Sequence, residues 1–270
     1  MEVTKRRGSR FRMQNVGKRG VIWKIPDVTA DGLKIFACIA MLVQSIGITI
    51  IEKGMIHLDQ YTQAELSQAL GEDSHLMVLA GIGSVLQLVG GLAVPIFAFL
   101  LVEGFRRTSS YRKYLISVFL VALLSEIPYD LANSQKWIDW TSQNALVSMS
   151  ICLLMLYFLR IFEGGRGVFY GIAKFVIVLC AVIWVSMLRA QAGLCMVLLT
   201  AVFYLFYKRI VLKTVLGIVI SLLYITAPLS FYGIGCYNEK RKDKISKYVY
   251  YAFYPLHLLV LGVIGKYLFL

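Results

Sequence analysis

Eight apolar runs follow one another along the chain, at 33–51, 76–102, 114–131, 145–162, 168–188, 192–207, 211–234 and 248–269. A helix of about 20 apolar residues crosses the roughly 30 Å hydrocarbon core of a bilayer. The runs lack the strict alternation of a porin-type strand. The pattern therefore predicts an all-α fold, a polytopic integral membrane helix bundle of about eight transmembrane helices. One transmembrane domain spans 32–270, preceded by a basic tail at 1–31. The second run is uncharged for 27 residues, about 40 Å as a helix. That exceeds the core thickness, and Pro95 lies inside it, so a tilt, a kink or a broken helix is expected there.

The polar stretches between the runs test this count. The tail holds eight Lys/Arg against three Asp/Glu, and no small-residue cleavage site follows the first run; this is not a signal peptide. Segment 52–75 sets Glu52, Asp59, Glu65, Glu72 and Asp73 against Lys53, and 103–113 carries Arg106, Arg107, Arg112 and Lys113. Segment 132–144 is nearly neutral. Arg160 and Arg166 flank one later turn, and Lys208, Arg209 and Lys213 mark another. By the positive-inside rule the N-terminus is cytoplasmic and 52–75 external. The alternation then fails. "GCYNEKRKDKISK" at 235–247 has five Lys/Arg yet falls outside in an eight-helix count. Either one span is miscounted or a later segment is re-entrant.

Composition agrees. The chain has 270 residues, 59% hydrophobic, with a mean hydropathy of +0.71, too apolar for a soluble domain. The net charge of +13 reads as cytoplasmic Lys and Arg meeting anionic membrane lipid, not as a nucleic-acid surface, because no soluble domain carries a basic patch with interleaved aromatics. Five cysteines form no CxxC pair; four lie in apolar runs and read as small packing residues. His57 and His75 read as solvated loop residues with no metal-ligand spacing. No cofactor is expected to be resident. No internal repeat is visible, which counts against a transporter built from repeated halves.

Polar residues at membrane depth are the candidate chemistry. His257 sits in "YYAFYPLHLLVLG"; an ionisable group there is costly and either packs on a partner or is functional. In the first run Ala37, Ala40, Gln44 and Gly47 share one face, suited to close helix packing with Gln44 and Ser45 bonding across it. The second run repeats the pattern with Gly83, Ser84, Gln87 and Gly91. Glu103 either pairs with Arg106 or Arg107 at the interface or stands at the mouth of a site. Arg106, Arg107 and Lys113 suit lipid headgroups or the phosphates of a cofactor. Glu126, ahead of Pro128, must pair, take up a proton or face water. Asn144 is placed to cap the fourth helix.

The segments "DGLKIFACIAMLVQSIG", "VPIFAFLLVEGFRRTSSYRKYL", "SEIPYDL", "QNALVSMSICLL" and "YYAFYPLHLLVL" resemble the TraX family in order and context. The resemblance covers about 31–160 and the last twenty-odd residues; "FAFLLVEG" and "YPLHL" are its most specific blocks. It implies a polytopic bacterial inner-membrane protein, similar to membrane acyltransferases that move an acyl group, here acetyl from acetyl-CoA, to a pilin-like peptide or a glycan acceptor. In that family the first span ends Met-x-x-Asp-His-x-Gly, with the His as acyl-transfer base, and an Arg precedes the Pro-Ile-Phe-Ala-Phe block. This chain has Gln44 and Ser45 at the Asp and His positions and Gly91 where the Arg is expected. Ser45 has no base beside it in sequence, so slow or absent transfer is expected. His257 is then either a packing residue bonded to Gln44 or Ser45, or the surviving member of a site to which Glu103 and Glu126 also contribute. A non-catalytic assembly partner of surface or secretion machinery and a small-solute transporter are the alternative functions.

Overall fold

The computed structural model describes residues 28–165, 167–238 and 244–268. The tail through 27, Arg166 and most of the charged turn, 239–243, lie outside the described residues. All eight apolar runs are helical. The first helix, α1 (Ala30–Ile46), opens on Thr29, whose hydroxyl accepts from Gly32 N at 3.2 Å. It continues as nine residues of π-helix, Gly47–Met55. After a 3₁₀ turn comes the short surface helix α2 (Gln63–Glu72), which opens on a reciprocal Thr62–Glu65 capping box.

The long second run becomes two helices in line, α3 (Ser74–Gly91) and α4 (Ala93–Arg107). The interruption falls at Leu92, and Pro95 sits in the first turn of α4, where its missing N–H costs no hydrogen bond. Then follow α5 (Tyr111–Ser134), α6 (Ala145–Ile161), α7 (Val168–Met187) and α8 (Gly193–Leu205). Asn144 caps α6 as expected, its Oδ1 accepting from Leu146 N at 2.9 Å. The last span is α11 (Lys247–Leu268), packed along α5.

The seventh run does not form one spanning helix. It contains α9 (Ile210–Ser221), a turn, a 3₁₀ turn at Ala227–Leu229 and α10 (Ser230–Gly235). Twelve residues of α9 rise only about 18 Å. At the tip, the Thr226 hydroxyl donates to Leu88 O, half-way along the α3–α4 rod. The chain then returns to the end it left. Val28 N donates to Cys236 O at 3.2 Å and Asn238 N to Val28 O at 3.0 Å. The Asp31 carboxylate accepts from Lys244 N at 2.6 Å and from Ile245 N at 3.3 Å. The segment is thus a re-entrant hairpin; among the described residues five helical stretches, Ala30–Met55, Ser74–Arg107, Tyr111–Ser134, Val168–Met187 and Lys247–Leu268, are long and apolar enough to cross a membrane, and α6 and α8 are shorter apolar helices beside them.

This settles the charge puzzle. One end of the bundle gathers Arg106, Arg107, Arg160, Lys213 and Lys244. There Arg106 lies 3.7 Å from Glu163 and Arg160 stacks 3.8 Å over the Tyr111 ring. The opposite end gathers Glu52, Asp59, Glu65, Asp73, Asp130 and Asp139, tied by Lys53–Asp59 at 3.1 Å and Asp139 N to Asp130 at 2.9 Å. With the hairpin re-entrant, the described residues on either side of 239–243, Cys236 to Asn238 and Lys244 to Lys247, lie at the basic end. Outward faces are apolar: on α7, Phe175 is 67% and Met187 76% exposed, as a lipid-facing helix should be. Cys180 is exposed on that helix, unlike buried Cys152, Cys195 and Cys236.

The hairpin makes a prediction independent of orientation. In a background with the five native cysteines replaced, Asn238→Cys and Ser110→Cys will react with an impermeant thiol reagent from the same membrane face, and Thr62→Cys from the other. Labelling of 238 from the face that reaches 62 would mean that 211–234 crosses the membrane.

Candidate functional site

Two adjacent glycines in the middle of the α3–α4 rod shape the site. A Cβ on Gly90 would collide with Gln44 Oε1 and Cβ, so the Gln44 side chain lies against the backbone of α3. A Cβ on Gly91 would fall 2.8 Å from Thr226 Oγ1 and 3.3 Å from Tyr224 Cβ. The hairpin tip thus fills the space that a side chain at 91 would need.

Between α1, α4, α5, α8, α11 and the hairpin tip lies a cavity of about 80 Å³. Its polar lining is Gln44, Ser45, Thr49, Tyr129, Asn133, Gln191, Tyr224 and Tyr254; the rest is apolar, and among the described residues no charged side chain lines it. Ser45 lies 14 residues beyond Asp31, about 21 Å from the basic end at helical rise, so the cavity sits in the half nearer the acidic end. Immediately after Ser45 the backbone widens into the π-helix, a distortion that recurs at functional sites, and Thr49 on it is buried against α11.

The first and last spans meet here. Ser45 Oγ is 3.4 Å from His257 Nε2 and 3.0 Å from Met41 O. His257 Nδ1 is 2.8 Å from Phe253 O. A carbonyl oxygen only accepts, so Nδ1 carries the hydrogen, and in the neutral ring Nε2 presents a bare lone pair to the serine hydroxyl. Phe253 stacks on the imidazole at 4.8 Å and 18°, and Tyr254 meets it edge-on at 5.7 Å. The ring is 7% exposed and does not line the cavity; Ser45 stands between them. Tyr254, one turn earlier on α11, accepts from Ala145 N at 3.3 Å through its hydroxyl oxygen, which leaves its proton to donate.

The other expected residues fall elsewhere. Glu103 is not on the rim of this cavity. It lies on α4 about two turns nearer the basic end and pairs with Arg107 at 2.8 Å, because α4 carries it away from Phe97, the last lining residue of that helix. Arg106 is held by Glu163 and stacks 4.1 Å over the Tyr207 ring. Lys113 is exposed at the same end. Glu126 bonds the Asn144 amide, whose nitrogen also donates to Ala122 O at 2.9 Å; it braces α5 against α6 one turn below Tyr129 and does not line the cavity. Tyr129, Asn133, Gln191, Tyr224 and Tyr254 are cavity residues that sequence reasoning missed. "YPLHL" pointed to α11, but nothing local distinguished Tyr254 from its aromatic neighbours.

A family model described as "TraX protein" matches residues 29–265, including the middle stretch that the quoted segments left unmatched. No curated protein and no solved structure matches at a significant level.

The Gln44–Gly90 contact yields a paired test. Gly90→Ala must displace Gln44, and overpacking of this kind costs about 1–3 kcal/mol. Gly81→Ala on the same helix meets nothing within 4 Å and gains helix propensity. The melting temperature of the detergent-solubilised protein will fall for Gly90→Ala and hold or rise for Gly81→Ala; equal responses would contradict the close approach.

Proposed function

The chain belongs to the TraX family, and from that membership together with the Ser45–His257 contact we propose that it is a membrane acyltransferase, using acetyl-CoA as donor and an amine or hydroxyl on a peptide or glycan as acceptor. The observation that carries this reading is the placement of His257. The sequence offered Ser45 no base, and α11 brings one from 212 residues away. A His whose Nδ1 is tied to a carbonyl and whose Nε2 faces a hydroxyl beside a cavity has the arrangement of a general base. Transfer through this pair would not require an Asp-His pair on the first span.

The surroundings support the same chemistry. The cavity is small, suited to an acetyl group rather than a long chain, and its lining supplies neutral hydrogen-bond donors for a carbonyl oxygen. We place the basic end in the cytoplasm of a bacterial inner membrane, by the positive-inside rule. Arg112 and Lys113, exposed there, with Arg106 and Arg107 behind them, form the phosphate-attracting surface for the donor. The acceptor then approaches from the acidic, external end, to which the cavity is nearer.

Purified protein in nanodiscs, given acetyl-CoA and a short peptide with a free N-terminus, will release coenzyme A thiol and yield acetylated peptide. His257→Ala will slow this by about 10²–10⁴-fold, the usual contribution of a general base. Undiminished turnover in His257→Ala would remove the histidine from the chemistry. An absence of turnover, together with no binding of acetyl-CoA, would favour the non-catalytic assembly role.

A further inference from the structure

We propose that Ser45 is the nucleophile and that acyl transfer proceeds through a covalent acyl-Ser45 intermediate; this deepens the acyltransferase reading and rests on it. The argument is one of access. His257 is 7% exposed, is walled by Phe253 and Tyr254, and is absent from the cavity lining. An acceptor held in the cavity meets Ser45 Oγ first, and only a group bonded at that oxygen comes within reach of Nε2. The group that Nε2 does face is the Ser45 hydroxyl, at 3.4 Å, and Ser45 lines the cavity. That separation is typical of an unliganded nucleophile–base pair, which tightens when substrate binds. In the structure the Ser45 proton has two acceptors, Met41 O and His257 Nε2. Activation requires only that it turn from the first to the second.

The two half-reactions balance. Ser45 Oγ attacks the thioester carbonyl carbon while its proton passes to His257 Nε2. The tetrahedral oxyanion is met by neutral donors around the cavity, the Tyr254 hydroxyl and the Gln44 amide. The carbon–sulfur bond then breaks, and the sulfur leaves with the electron pair and takes the proton from Nε2, releasing coenzyme A as the thiol. In the second half the acceptor's amine or hydroxyl attacks the Ser45 ester carbon and gives its proton to Nε2. The ester carbon–oxygen bond breaks, and Ser45 Oγ recovers that proton. Nothing beyond donor and acceptor is consumed. The order differs from a direct attack assisted by a histidine on the first span: here the first span carries the acyl group and the last span moves the proton.

The test is acid quench of the full-length protein in nanodiscs after mixing with acetyl-CoA alone, then with acetyl-CoA and the acceptor peptide, read by thiol release and by peptide mass spectrometry. The expected result without acceptor is a burst of thiol close to one equivalent and one acetyl group on the peptide containing Ser45. Ser45→Ala will abolish both. Ser45→Cys will restore the burst and carry a thioester released by hydroxylamine. Acetylated peptide formed at the normal rate by Ser45→Ala would overturn the proposal and leave the acyltransferase reading standing. So would turnover without burst or adduct in both the unaltered protein and Ser45→Cys, since that pattern marks Ser45 as a proton relay to a directly attacking acceptor. No thiol release from any of the proteins would overturn both.

Discussion

Everything near the candidate site depends on the absence of two side chains. Gly90 and Gly91 sit half-way along a rod running from Ser74 to Arg107, and each admits a different neighbour to backbone distance: Gln44 of α1 over Gly90, the Tyr224–Thr226 turn over Gly91. Small residues at such crossings compensate for the lack of a hydrophobic force between helices in lipid, because close backbone contact maximises dispersion. Gly90 fixes how deep α1 lies against α3, and so where Ser45 stands relative to α11. Gly91 fixes how far the hairpin penetrates, and so brings Tyr224 to the cavity lining. The Thr226 bond to Leu88 O also satisfies a polar group at mid-depth, where one left unpaired is expensive.

The helices were legible because a bilayer imposes one length and one polarity on any segment that crosses it, and all eight apolar runs became helical. Charge carried further than hydropathy. The run at 211–234 has the apolarity of a span, and only the five basic residues after it signalled that it turns back. Its turn around 222–226 contains no glycine, and its one proline, Pro228, comes after the tip, so local turn chemistry left no mark; the turn is imposed by tertiary contact with α3 and by the Asp31 clamp. Asn144 as a helix cap and the Glu103–Arg107 pair were readable for the opposite reason, since both partners lie within four residues.

The site was half legible. Apolar segments containing a lone Gln-Ser pair or a lone His can be recognised from sequence, because polar groups are costly there. Their meeting cannot be. Ser45 and His257 approach through the packing of α11 along α5 and against the π-helical continuation of α1, an arrangement set by many weak contacts and encoded at no single position. Glu103 shows the converse. Its residue type and segment made it a candidate, yet helical rise carries it two turns away from the cavity and into a pair with Arg107, which lies over the Tyr237 ring.

Under the proposed acyl transfer, the uncharged lining of the cavity would decide which amines can react in it. No carboxylate is present to accompany an ammonium ion inward, and moving an unpaired cation out of water is strongly unfavourable. An amine therefore enters as its free base. A peptide α-amino group and a lysine side chain differ by about two and a half pKa units, so near neutral pH their free-base fractions differ by a few hundred-fold. In the proposed reaction, a cavity without charge would thus favour a polypeptide's N-terminus over its lysines through acid–base equilibrium alone, with no recognition of the surrounding sequence.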